Sequence, residues 1–334
     1  MERSIQLSIL DLATIYNGES ATQTLINSTE LAQHVETLGF TRYWFAEHHN
    51  TKYQMSTSPD LLSAHVAANT SRIRIGSGGI MLPNHSPLKV AENFALLEAL
   101  NPGRIDLGIG RAPGTDGLTR SRLDAPVKQS CAMISRVNSM NFVTLKGSLK
   151  MNTHLHRYHT HLSHHPAQFM LGSSDGGMRF ASNNGLGFVF AAHISPQLAV
   201  PMLRAYRENF KPSVFMEQPK SILAIMVIAA ETDEEAEYLA GPAELQWVRW
   251  GTGQFTNPPP TLEEVANHTY TIQEQRVKEE NKGKFIIGSI ERVKEEIRTL
   301  ADEAQVDEVM ILNMLTEKAS RHRSYELLAK AFSL

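Results

Sequence analysis

The sequence predicts a (β/α)8 TIM barrel: eight parallel strands, each followed by a helix, closed into a single domain over residues 1–334. Three observations carry this. Short apolar runs recur eight times, and almost all are followed by stretches of helical periodicity. The runs are apolar throughout rather than alternating, as strands covered on both faces must be. A length of 334 residues with 42% hydrophobic content can fill one large core, so the strand–helix count outweighs a length rule that would split the chain in two.

The elements follow in order. Residues 5–12 read as the first strand. The next helix spans 22–38, with Leu25, Ile26, Leu31, Val35 and Leu38 near helical spacing and Gly39 as its stop. Residues 43–46 form a short aromatic strand. Ser58-Pro59 opens a helix through the alanine-rich 61–68, with Ser58 as cap and Pro59 in the first position. The third strand, 73–75, runs into Gly76, Gly78 and Gly79. Ser86-Pro87 repeats the cap-and-proline start, and that helix ends near Asn101-Pro102-Gly103. Residues 105–109 are the fourth strand. The fifth, 169–171, leads to a helix near 177–184, and the sixth, 187–192, leads through Ser195-Pro196 to a helix ending about 210. The seventh, 222–230, precedes Thr232 and Glu235 in a capping-box pattern. Residues 309–312 and 317–331 supply the last strand and helix. Asn257-Pro258-Pro259-Pro260 cannot be regular structure, so 250–284 reads as an insertion before the last unit. The acidic run 291–303 reads as a solvated helix face partnered by Arg292, Lys294 and Arg298.

Charge and composition narrow the function. A net charge of −3 without a basic stripe excludes ordinary nucleic-acid binding. One cysteine, Cys131, excludes an intrachain disulfide framework. The N-terminus does not read as a signal peptide, and no apolar run is long enough for a membrane span. The expectation is a cytoplasmic enzyme, which these counts do not name.

In a barrel, chemistry sits on loops after the C-terminal ends of the strands. Those loops present Asp11, Glu47-His48-His49, Gly78-Gly79, Arg111, Gly172-Ser173-Ser174, His193 and Asn313. Glu47, His48 and His49 suit acid–base work near neutral pH, or else one histidine caps and the other packs. Neighbours on an extended chain face opposite ways, so His48 and His49 do not share one ion, and no metal is expected. The glycines around Arg111 lack the spacing of a dinucleotide fingerprint; they form a loop from which Arg111 could reach an anion, or a plain surface turn. Gly172, Ser173 and Ser174 stand at a strand-to-helix junction, where N–H groups and hydroxyls can meet a phosphate or merely cap the helix. Paired glycines at Gly78-Gly79 fit either a flat ligand against the backbone or a bulge.

In order, Tyr43-Trp44-Phe45-Ala46-Glu47-His48-His49-Asn50, Gly76-Ser77-Gly78-Gly79-Ile80-Met81-Leu82-Pro83-Asn84-His85 and Pro102-Gly103-Arg104-Ile105-Asp106-Leu107-Gly108-Ile109-Gly110-Arg111-Ala112-Pro113-Gly114 resemble the bacterial luciferase-like, flavin-dependent monooxygenases. Leu171-Gly172-Ser173-Ser174 and Phe190-Ala191-Ala192-His193 extend the likeness. The resemblance implies a TIM barrel. It implies His48, with Glu47 beside it, as the acid–base residue, and Arg111 paired with an FMN phosphate held also by Gly172, Ser173 and Ser174. It implies Gly78-Gly79 as a bulge, often with a cis peptide, against the flavin ring. The implied reaction uses reduced FMN, supplied by a separate flavin reductase, and O2 to oxidise a small organic substrate such as an aldehyde. It also implies a homodimer formed through the helices at 58–71 and 87–100. Two other readings share the barrel: hydride transfer with a deazaflavin, and flavin binding without turnover. Residues 118–167 depart from the family, carrying Cys131 and the run His154, His156, His159, His161, His164 and His165, which reads as solvated loop. Asp175 sets a like charge beside the phosphate loop.

Overall fold

Strands with no polar face need cover on both sides, and this chain supplies it by closing its sheet. The structure, a computed structural model, describes residues 4–115, 119, 123, 165–213 and 215–334. All eight expected strands form: β1 (Gln6–Asp11), β2 (Arg42–Phe45), β3 (Arg74–Met81), β4 (Ile105–Gly110), β5 (Ala167–Gly172), β6 (Gly187–Ala191), β7 (Ser221–Ala230) and β9 (Glu308–Leu312). Each pairs in parallel with the next, β7 pairs with β9, and β9 returns to β1 with Gln6 opposite Glu308. The result is the (β/α)8 barrel.

A ninth strand, β8 (Phe285–Ser289), lies outside that ring and was not expected. Its cause is the length of β7. Ser221–Ala224 pair with β6, whereas Met226–Ala230 project beyond it and pair with β8. Met226 pairs with Leu312 as well as Phe285, so β8 takes the flank of β7 opposite β9. Without β8 the overhang would leave a row of backbone groups unpaired.

The helices are α1 (Ala21–Thr37), α2 (Pro59–Ala68), α3 (Pro87–Leu100), α4 (Asp175–Asn184), α5 (Ala199–Glu208), α6 (Asp233–Gly251), α7 (Leu262–Asn267), α8 (Ile272–Glu280), α9 (Ile290–Ala304) and α10 (Lys318–Phe332). Pro59 and Pro87 do open α2 and α3, but neither Ser58 nor Ser86 makes a side-chain cap bond. The Thr232 hydroxyl accepts from the Glu235 N–H as expected; the Glu235 carboxylate, however, takes the N–H of Glu231, so the box is half formed. The complete capping box is at Thr271 and Glu274, within the 250–284 segment, which holds α7 and α8. Cys131 and the histidines from 154 to 164 lie outside the described residues. Among the described residues no helix is long and apolar enough to cross a membrane.

Side chains alternate across each strand. Trp44 points into the barrel with Leu10, Phe169, Val189, Ile222, Ala224 and Met310. Its neighbours Tyr43 and Phe45 point outward into the layer beneath the helices, with Leu7, Ile9, Ile75 and Phe94. The N-terminal end of the barrel is plugged by charge. Arg42 is fully buried and donates to Glu308 (2.5 and 3.0 Å) and Asp106 (2.7 Å). Arg74 binds the other oxygen of Asp106 at 2.6 Å, and Trp44 and Ser8 donate to Asp106 and Glu308. Arg42 and Arg74 hold the Asp106 carboxyl below its usual range against the opposing pull of burial.

Candidate active site

At the other end of the barrel, the loop after β2 carries Glu47, His48 and His49. Glu47 is fully buried. Its Oε1 accepts from His49 Nε2 (2.7 Å), His85 Nε2 (2.8 Å) and Asn84 Nδ2 (3.3 Å), and its Oε2 from the Met81 N–H (2.8 Å). Burial pushes this carboxyl up, but the bonds from His85, His49 and Met81 outweigh it and leave it below the usual range. The same bond to Glu47 raises His85 above the ordinary histidine value, against burial. Among the described residues, Glu47, His49 and His85 are also close enough together to hold a metal. Their 2.7 and 2.8 Å separations are hydrogen-bond lengths; a tetrahedral ion with bonds near 2.0 Å needs ligand atoms about 3.3 Å apart.

The Glu47 carboxylate is therefore engaged away from His48. His48 Nδ1 is buried with no hydrogen-bond partner among the described residues. Burial holds His48 below the ordinary histidine value, with Glu47 pulling the other way. Near it stands His193, from the end of β6. Its Nδ1 lies 3.3 Å from the Ala224 carbonyl oxygen, which can only accept, so Nδ1 carries the proton and Nε2 is left as an acceptor. Burial, with His48 and Lys284 adding to it, pushes His193 down to about 4. Two imidazoles uncharged at neutral pH thus stand after the C-terminal ends of β2 and β6.

The second cluster lies after β4 and β5. The exposed Arg111 side chain lies over Gly176, in the first turn of α4; a Cβ there would stand 2.7 Å from Arg111 Nη2 and 3.0 Å from Nη1. The N-cap of α4 is Ser174, whose side chain makes no cap bond. A guanidinium beside a helix N-terminus with open N–H groups is a setting for an anion. Asp175 is exposed and pairs with Arg179 at 3.3 Å, which answers its like charge.

Gly78 and Gly79 sit on β3 at a register shift between Ser77 and Ile80, and the peptide bond between them is cis. A Cβ on Gly78 would stand 2.6 Å from Leu10 Cδ1, and one on Gly79 2.7 Å from the Gly108 carbonyl oxygen. The approach of the β4 backbone thus already demands glycine at Gly79, whereas at Gly78 the nearest obstacles are side chains. Asp11 accepts from Tyr43 Oη (2.5 Å) and the Ala13 N–H (2.8 Å), and Asn313 bonds Leu315 and Ser324; both shape their own loops.

Residue by residue, the sequence-predicted set divides into His48 near His193, Arg111 over the Gly172–Gly177 turn, and Glu47 within a separate hydrogen-bonded cluster. The reading passed over His85 and Asn84. Only their place at the end of the third strand's motif hinted at them.

The sequence pattern of luciferase-like monooxygenases matches residues 5–308. The chain belongs to the luciferase-like monooxygenase family. It is 41% identical to the Bacillus subtilis protein YceB over 98% of this chain and 99% of that one. It is 34% identical to a luciferase-like monooxygenase of Escherichia coli K12, over 98% and 96%. Among solved structures, the chain is similar to apo-MsnO8 (TM-score 0.85, 30% identity, 99% of both chains). Two more distant structures share the fold. One is the oxygenating constituent of 3,6-diketocamphane monooxygenase from Pseudomonas putida in complex with FMN (TM-score 0.70, 17% identity, 98% and 97% covered). The other is an F420-dependent secondary alcohol dehydrogenase (TM-score 0.71, 16% identity, 99% of both chains).

Proposed function

We propose that this family member is an FMN-dependent oxygenase that uses reduced FMN, delivered by a separate reductase, and O2 to oxidise a small organic substrate such as an aldehyde. The observation that supports FMN is the Arg111 guanidinium over Gly176 at the N-terminus of α4. Arg111, the N–H groups and hydroxyls of Ser173 and Ser174, and Gly172 at the turn would hold the phosphate, and Gly78 and Gly79 would face the ring. When bound, reduced FMN supplies the electrons that activate oxygen. His48 holds or gives up the proton at its Nδ1, which has no hydrogen-bond partner among the described residues to compete. His193 offers Nε2 as an uncharged acceptor. Glu47 acts at one remove, by fixing the loop that carries His48. We further read 250–284 as an insertion in a single domain, the protein as cytoplasmic, and the working unit as a homodimer through α2 and α3. Those helices expose Leu61, Leu96 and Leu100, each more than 60% accessible, and sedimentation velocity reports the resulting mass.

The test is an anaerobic titration with reduced FMN and with a deazaflavin, followed by mixing with oxygen and an aldehyde. We expect reduced FMN to bind and oxygen to be consumed with oxidation of the aldehyde. His48→Ala should bind FMN nearly as wild type but turn over roughly 100-fold more slowly, the scale of one acid–base residue. Arg111→Ala should weaken FMN binding about 10–100-fold, the worth of a charge-assisted bond to phosphate. Binding of the deazaflavin alone would overturn the proposal, as would flavin binding with no oxygen chemistry.

A further inference from the structure

Three loops are tied together around Glu47. Glu47 follows β2, and its side chain accepts from Met81 at the end of β3 and from Asn84 and His85 in the turn after it. Asn84 Nδ2 also donates to the Pro113 carbonyl oxygen (2.9 Å) in the loop after β4. The His49 N–H donates to the Gly114 carbonyl oxygen (3.0 Å), and Thr115 Oγ1 donates back to the His49 carbonyl (3.0 Å). The loops are pressed so closely that a Cβ on Gly114 would stand 2.6 Å from the Glu47 carbonyl oxygen. One of these loops carries His48, and another carries Arg111.

We propose that His85 is a positioning residue: by holding Glu47, it latches the loop that carries His48 to the turn after β3, whose Asn84 reaches the loop that carries Arg111, so the acid–base end and the anion end of the site are set by one hydrogen-bonded hub. This rests on the functional reading above for the roles of His48 and Arg111. It does not rest on it for the latch itself.

The hub is ionic. Glu47 faces His85 from the third loop and His49 and His48 from its own, and His85 also feels Asp60 on α2. A cationic His85 donates to a buried carboxylate more strongly than a neutral one does. The bond to Glu47 raises His85 above the ordinary histidine value, so the ion pair keeps its charge to higher pH than a free imidazole would and loses it as pH rises through that raised value.

Hydrogen–deuterium exchange on the full chain tests the latch without any ligand. In His85→Ala, peptides covering 46–50 and 110–115 should exchange at least about tenfold faster, the opening expected when a charge-assisted bond is lost. Peptides from β6 and α5 should be unchanged. The milder His85→Gln, which can still donate but carries no charge, should lie between. FMN titration supplies a second readout. Wild-type affinity should fall as pH rises through the raised His85 value, and His85→Gln should flatten that dependence. His85→Ala should weaken FMN about tenfold in the wild-type background but less than twofold when combined with Arg111→Ala, because it acts through Arg111. Unchanged exchange at 110–115 in both variants, or losses that simply add, would overturn the latch. If wild type fails to bind FMN while exchange at 110–115 still responds to His85, the latch stands and the flavin reading falls.

Discussion

A methyl group at Gly176 would stand 2.7 Å from Arg111 Nη2. The obstacle is the far end of a flexible side chain, so Gly176→Ala should fold and be as stable as wild type or slightly more so, since alanine favours the helix. It should nevertheless bind FMN roughly tenfold more weakly, because the guanidinium is displaced from the helix N-terminus. Equal FMN affinity would show that Arg111 does not serve a phosphate there. His193 sets a pH limit. Its folded value of about 4 lies below the ordinary histidine value of 6.5. Protonation therefore favours the unfolded chain: the stability is fully present above pH 6.5 and is lost as pH falls towards 4. Urea midpoints measured from pH 7 to 4 should fall, and His193→Gln should fall less steeply. At this scale the sequence showed which residues stand at strand ends, but not which atoms meet. Glu47 lies next to His48 in the chain, yet its carboxylate binds His85, 38 residues away. No local pattern encodes that contact; the closing of the barrel creates it.

At the scale of elements, the eight barrel strands were legible because full burial leaves an apolar run that needs no partner to be recognised. β8 was not. Phe285–Ser289 is only half buried and lies between Lys282-Gly283-Lys284 and an acidic helix, so its composition looks like a boundary. Its reason for existing is elsewhere, in the overhang of β7 beyond β6. The serines before Pro59 and Pro87 mark the helix starts correctly and still make no cap bonds; at α2 the Leu61 N–H that Ser58 could cap goes to Asp60 Oδ1 instead (3.0 Å).

Across the whole molecule the two ends of the barrel divide the labour. The N-terminal end holds Arg42, Asp106 and Glu308, with Arg42 packed over Trp44 and Phe169. Replacing Arg42 with Met would leave two buried carboxylates short of a partner, and the cost should be about 3–5 kcal/mol by urea denaturation. FMN affinity of the folded fraction should be unchanged, because no part of this cluster reaches Arg111 or His48. A parallel loss of affinity would mean that the ends are coupled. Nothing in the sequence flagged this network, since Arg42 and Glu308 each appear just outside an apolar run.

The pairing of Gln6 with Glu308 has a consequence for how the protein is born. At about 5–20 residues per second, a ribosome needs roughly 15–60 s to add the residues that separate these two. For all that time β1 can find β2 but not β9, and one edge of the nascent sheet stays open. The barrel closes only once Glu308–Leu312 has been made. The interval before closure is the period in which a chaperone, or another nascent chain, has an unpaired apolar strand to bind.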